Sequence, residues 1–364
     1  MVLIEPSPKL IFAPAASPKA NYYPWFDWLR LSLAIMVMLS HMGLIPIWPQ
    51  AGNFAVQVFF AMSGWLVGGI LITLPRRELQ RFYYNRALRI WCPYFLALGL
   101  LVAASLLRDH LTHKWMEFVF YKLTFVYNFF GQRQLPQHRL DMPLAATGNH
   151  FWSVNAEEQF YLIAPLLLVL LPRRWGRNVF VWLALAVVAW ACNAYASIIF
   201  GVLAALVANT YGPFHERYQS RVAAAIVMLA AIGGMLVGFN YDLLAPICAV
   251  ALMLLLAIDG KQHRGGALAG GMSYPLYLNS WVPAFVVTAA CRRFGVTNAL
   301  FGYSTIIFLN LALAAFLYWQ VDRRVLANRR RLYSPRRARL TMAFGYGAVS
   351  LGVLVGLILY RRIP

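Results

Sequence analysis

Three groups of residues in this sequence have types and spacings that could do chemistry. His41 lies within FDWLRLSLAIMVMLSHMGLIP, and the adjacent acids Glu157 and Glu158 lie within FWSVNAEEQFYLIAPLLL, both strongly apolar stretches. A histidine beside a carboxylate in a shielded site can take the proton from a hydroxyl. The carboxylate fixes the tautomer and supports the imidazolium, and base catalysis of this kind contributes roughly 10²- to 10⁴-fold. Neighbouring residues on a helix point about 100° apart, so the two acids differ in role, and Glu158 is the preferred partner of His41. The third group is Arg86 and Arg89 in ELQRFYYNRALRIWCP, three apart and on one helical face. At a helix start, with free N–H groups beside them, they suit a phosphate. Asp27 and Arg30, at the start of the His41 run, could pair with these arginines. Each group also has a plainer reading. Buried histidines join membrane helices by hydrogen bonds, arginines mark the inner side of a membrane, and Asp27 with Arg30 could be a structural ion pair.

The elements that must position these residues are membrane helices. The chain has 364 residues, of which 61% are hydrophobic and 12% charged, with a formal net charge of +20. Soluble domains hold about twice that charged fraction, so a water-soluble enzyme is excluded, and the hydrophobicity excludes a disordered chain. A nucleic-acid partner is excluded too, since it needs a wetted basic face on a soluble domain. The four cysteines, Cys92, Cys192, Cys248 and Cys291, are dispersed in or beside apolar stretches and imply neither disulfides nor a metal site.

A bilayer crossing takes about 20 mostly apolar residues. About eleven segments qualify, near 28–47, 54–74, 90–107, 152–171, 178–194, 196–212, 221–240, 242–258, 271–290, 299–320 and 341–360. One long helix could replace the two short ones between 178 and 212. The aromatic stretch near 117–131 is too short and polar to cross and reads as re-entrant or interfacial. With the N-terminus inside, 23 of the 32 basic residues fall in inner loops, the asymmetry expected of a multi-pass inner-membrane protein. The outer loop near 108–151 carries His110, His113, His138 and His150, scattered as solvated side chains rather than as metal ligands. In this topology His41 lies about 9 Å below the outer end of its helix near Ile47, and the glutamates roughly 7 to 9 Å below the same surface. An ionisable group at mid-membrane costs about 2.5 to 3.5 kcal/mol, which singles these residues out.

The order FDWLR, His41, VFFAMSGWLVG, FYYNRALRIWCP, FWSVNAEEQFYLIAP and GMSYPLYLNSW resembles the membrane acyltransferase-3 family over about residues 24–320. The resemblance implies an all-α polytopic fold with a ten-helix core, acyl-CoA as the donor bound from the cytosol, and an extracytoplasmic glycan as acceptor. It implies His41 as the catalytic histidine, Arg86 and Arg89 as donor-site arginines joined by Asp27 and Arg30, and the WSxxxEEQF segment as part of the catalytic shell. Trp152, Ser153, Asn155, Tyr274 and Tyr277 are then expected on the acceptor side. Trp28 and Asn279 depart from the family pattern of a glycine and a histidine, and Asn279 cannot act as an acid or base. The domain division expected is a cytosolic N-terminal segment at 1–23, the membrane core at 24–321, a basic cytosolic loop at 322–340 and an added eleventh helix at 341–364. The activity expected is O-acetyl transfer from acetyl-CoA in the bacterial inner membrane, with no permanently bound cofactor and no metal. A transporter or flippase is the competing reading, though no internal repeat supports it. Oligomeric state is not set by the sequence.

Overall fold

A computed structural model describes residues 22–360, so almost all of the expected N-terminal segment and the arginines at 361 and 362 lie outside the described residues. Helices are the only regular secondary structure among those residues, with no strand. The first three helices are α1 (Pro24–His41), α2 (Ala51–Thr73) and α3 (Leu79–Leu106). A long loop follows, holding α4 (His113–Leu123), α5 (Tyr127–Phe130) and α6 (Leu135–His138), and leads into α7 (Phe151–Pro165). A short α8 (Arg173–Gly176) joins this to α9 (Val179–Ala191), α10 (Ala196–Tyr211), α11 (Tyr218–Leu236) and α12 (Tyr241–Leu256). The chain ends with α13 (Arg264–Asn279), α14 (Trp281–Phe294), α15 (Ala299–Leu317), α16 (Arg323–Leu332) and α17 (Pro335–Tyr360).

Five helical stretches are long and apolar enough to cross a membrane: Ala51–Thr73, Arg76–Leu106, Tyr218–Leu236, Ala299–Leu332 and Pro335–Leu359. Their outer faces expose Leu229, Phe308 and Leu354, side chains that lipid rather than water would cover. The protein is therefore a multi-pass membrane protein. Between 178 and 212 there are two helices rather than one, broken where Asn193 and Tyr195 take left-handed backbone at φ +52° and +54°.

Several boundaries differ from those read in the sequence, and three of them move the chemistry. α3 begins at Leu79 rather than near residue 90, so Arg86 and Arg89 lie about 10 and 15 Å inside the helix and not among the free N–H groups of its first turn. The stretch 322–340, expected as a loop, is helical over Arg323–Leu332 and again from Pro335 onward. α1 stops at His41 instead of near Ile47, because Gly43 takes φ +69° and Pro46 and Pro49 follow. The crossing expected near 271–290 begins earlier, at Arg264, and breaks after Asn279. Its glycine-rich start, GGALAGG, carries little hydropathy, but it lets α13 lie against α1, where a side chain at Gly270 would collide with Asp27. Small residues serve the same purpose between α2 and α10, since side chains at Gly64 or Gly201 would strike the backbone of the opposite helix.

The long loop does not cross. Thr112 caps α4 by accepting a hydrogen bond from the Trp115 amide at 3.0 Å, and α4 lies over the end of the bundle that His41 closes. Burial works to raise the Glu117 carboxyl, but hydrogen bonds from Lys114, Tyr121 and Gln134 outweigh it and hold the group below its ordinary range. α17 fastens this loop to the bundle. Its Gly352 and Gly356 sit against Thr124, Val126 and Phe130. Nearer the other end its Tyr346 hydroxyl donates to the Leu162 carbonyl at 2.7 Å and meets the Tyr83 hydroxyl at 2.6 Å.

Candidate active site

The residues singled out in the sequence gather in two places, one at the His41 end of α1 and one toward its start. At the first, His41, Ser40, Asn53, His150, Trp152 and Tyr277 line a cavity of about 200 Å³. His41 Nδ1 lies 2.8 Å from the Val37 carbonyl oxygen. A carbonyl only accepts, so Nδ1 carries the hydrogen of the neutral imidazole and Nε2 is left as the acceptor. The His150 ring stands edge-on at 5.8 Å and 73°. His150 is buried, and its Nε2–H donates to the Leu278 carbonyl at 3.3 Å.

His150 is the functional candidate that the sequence hid. It falls in a loop whose histidines read as solvated, and only folding shows it to be the residue before α7, turned under the loop. Its place is fixed by several bonds. Tyr277 and Ser153 hydroxyls both donate to the His150 carbonyl, at 3.0 and 3.1 Å, and lie 2.5 Å from each other. Three residues upstream of Thr147, Leu144, Ala145 and Ala146 all take left-handed backbone, at φ +50°, +50° and +68°. Such backbone costs an L-residue roughly 1 to 2 kcal/mol and is kept only where surrounding contacts enforce it. Lys122 is one of those contacts. It is 2% exposed, donates from Nζ to the Gly148 carbonyl at 2.7 Å, and sits 3.3 Å above the centre of the Tyr127 ring. Lys122→Ala should therefore cost about 2 to 4 kcal/mol, from the lost packing and the stranded carbonyl, and thermal unfolding in detergent will show it as a lower Tm.

The second cluster lies deeper. Glu157 accepts hydrogen bonds from Ser63 of α2 and Tyr161 of its own helix. The Arg86 guanidinium lies over the Tyr161 ring at 4.9 Å, and the charges of Glu157 and Glu158 act on it. Arg30 is close to Arg89 and Arg86, and ion-pairs with Asp27 at 3.3 Å. Asp27 also accepts from the Tyr22 hydroxyl. Asp27 thus pairs with Arg30, its neighbour one turn on, and α1 and α3 bring Arg30, Arg86 and Arg89 together, with Arg86 over Tyr161.

The expected match in depth between His41 and the glutamates does not hold. His41 is the last residue of α1, while Glu157 and Glu158 lie about 9 to 11 Å along α7 from its first residue. The charges of the glutamates act on Arg86 of the arginine cluster, and it is His150 that stands beside His41. Two expected acceptor-side residues also sit elsewhere. Asn155 is fully buried, with Nδ2 donating to the Tyr94 hydroxyl at 2.9 Å and Oδ1 accepting from the Tyr127 amide at 3.1 Å, so it ties the loop to α3. Tyr274 is within reach of Glu157, Tyr161 and Asp322, and its hydroxyl donates to the Ile90 carbonyl at 3.4 Å. Trp152 and Tyr277 do line the His41 cavity, and Ser153 braces it from behind. Among the described residues no group of three or more His, Cys, Asp or Glu side chains could hold a metal ion.

Comparison with known proteins bears on the arrangement as a whole. Residues 23–319 match the family model described as an acyltransferase domain. The peptidoglycan O-acetyltransferase OatA of Listeria monocytogenes is 29% identical over 168 residues, covering 43% of this chain and 26% of that protein. A putative O-acetyltransferase of Staphylococcus aureus (strain COL) is 28% identical over 167 residues, covering 42% and 26% respectively. An uncharacterized protein of Haemophilus influenzae is 32% identical over 123 residues, or 32% of this chain and 49% of that one. The matched region thus spans about a quarter of the length of the two O-acetyltransferases. No solved structure matches the chain. With a family model covering most of its length, the chain belongs to the acyltransferase-3 family, whose named relatives here are O-acetyltransferases.

Proposed function

We propose that this protein is an integral membrane O-acyltransferase that moves an acyl group, acetyl first among the candidates, from acyl-CoA to a hydroxyl of an extracytoplasmic glycan such as an exopolysaccharide or lipid-linked repeat unit. The proposal includes eleven crossings, a cytosolic N-terminus and residence in the bacterial inner membrane. One observation carries it: α1 joins a cavity holding a histidine with a bare Nε2 to a cluster of three arginines. The eleven residues from Arg30 to His41 make that separation about 16 Å along the helix. A donor with a long arm and an anionic end fits this layout, with its phosphates at the arginines and its thioester carried toward His41.

In this scheme the acceptor hydroxyl enters the cavity and gives its proton to His41 Nε2 as its oxygen attacks the thioester carbonyl. The C–S bond breaks, the ester forms, and the imidazolium returns its proton to the departing thiolate. His150 and Tyr277 shape the cavity and hold its floor, and Trp152 offers an aromatic face for a sugar. Arg30, Arg86 and Arg89 hold negative charge, and Glu157 and Glu158 keep Arg86 in place.

The test supplies radiolabelled acetyl-CoA and surface glycan from the producing cell to the purified protein. Label appearing in the glycan with release of one free thiol per acetyl supports the reading. Thiol release without glycan labelling, or neither, sinks it.

A further inference from the structure

The match to the acyltransferase domain ends at residue 319, and the segment just beyond is densely basic. Residues 322–340 hold eight arginines and one carboxylate, Asp322. A preference for basic residues on one side of the membrane explains their number. It does not explain their placement. α16 turns Asp322, Val325, Leu326 and Arg329 inward as one stripe at helical spacing and packs against α3, the helix of Arg86 and Arg89.

Arg329 is only 6% exposed, and the charges of Arg330, Arg89 and Arg81 act on it. Just beyond, the Tyr333 ring lies 5.4 Å from the Tyr84 ring of α3, with the Arg81 guanidinium 5.7 Å from its centre. Two acids face this group: Asp322, which acts on Arg89, and Glu78, 3.8 Å from Arg81. Four guanidiniums are thus drawn together with two carboxylates among them. With Arg329 buried and Arg89 half-buried beside the exposed Arg81 and Arg330, these like charges repel one another, and an anionic ligand relieves that repulsion.

We propose that α16 and Tyr333 extend the arginine cluster of α1 and α3 into a site for the phosphates at the nucleotide end of the donor, with Arg81, Arg89, Arg329 and Arg330 as its ligands. This inference rests on the acyl-CoA reading above and adds to it a part of the chain outside the matched domain. The phosphate-bearing end then stays at the start of α1, and only the uncharged arm enters the bundle.

The test is calorimetric titration of the full-length protein, in nanodiscs of zwitterionic lipid, with coenzyme A and with dephospho-coenzyme A. Arg330→Gln combined with Arg329→Gln should weaken coenzyme A binding by about tenfold or more, with a shallower dependence on salt than wild type. Since Arg329 is buried, the exposed pair Arg330→Gln with Arg331→Gln serves as a second variant. It should keep the wild-type Tm and lose at least about threefold in affinity. Equal coenzyme A affinity in wild type and in both variants overturns the site while leaving the donor reading in place. Wild-type protein that binds no coenzyme A overturns both. A parallel arm uses vesicles rich in phosphatidylglycerol. If the variants lose retention there yet keep coenzyme A affinity, the arginines serve lipid headgroups and the inference fails.

Discussion

His41→Ala should reduce kcat for acyl transfer by about 10²- to 10⁴-fold, the range that positioned base catalysis supplies. The side chain is exposed at the end of α1, bonded to a carbonyl of its own helix and touching His150 at the ring edge. Losing it should therefore cost less than about 1 kcal/mol of stability, so the Tm should stay near wild type while activity falls. Imidazole added to the variant fits a cavity of this size and should restore part of the rate. The contrast is His150→Ala, which empties a buried site and strands the Leu278 carbonyl, so it should lower Tm as well as rate. Transfer measured with labelled donor decides the matter: a His41→Ala variant with an unchanged kcat rules out the base assignment.

Arg86→Ala should have the second large effect, and on different quantities. Arg86 is buried, lies over Tyr161 and faces Glu157 and Glu158, so its removal leaves two carboxyl groups without that countercharge. Losing the packing of this buried guanidinium over the Tyr161 ring should cost about 2 to 4 kcal/mol. Tm should fall and the donor KM should rise together. Lysine should not rescue it, because an ammonium cannot stack on the Tyr161 ring as a planar guanidinium does. Arg89→Ala, at a half-buried position one turn on, should raise the donor KM with a smaller loss of Tm. Unchanged KM and Tm in Arg86→Ala would return this arginine to a purely topological role.

Much of the helical architecture was legible because hydrophobic runs of membrane length need no tertiary information. The residues of the site were legible for a related reason: a histidine or glutamate inside such a run is costly, and so visible. Their partners were less so. The pairing of His41 with Glu158 depended on where α1 ends, and that was decided by Gly43, Pro46 and Pro49 rather than by hydropathy. The long loop concealed more. His150 looks solvated in sequence because it follows the polar run TGN, and nothing in the sequence singles out Lys122, yet both are buried once α4 folds down and α17 closes over it. Asn279 could not supply a second histidine, and one arrives from another element, with the His150 Nε2–H on the carbonyl of Leu278, next to Asn279. Contacts of that kind join residues 128 apart and leave no periodicity to read.

The distance between the imidazole and the arginines has an electrical consequence. The acyl group is neutral, so its passage moves no charge. The proton taken from the acceptor is different. If it returns on the thiol, each turnover is silent to the membrane voltage. If it escapes on the His41 side while the thiolate is neutralised at the other end, each turnover displaces one elementary charge, worth about 2.3 kcal/mol per 100 mV. In the scheme proposed above the proton returns on the thiol, so transfer should run at the same rate whether or not a voltage is applied across the membrane, and a rate that follows the voltage would mark the other route.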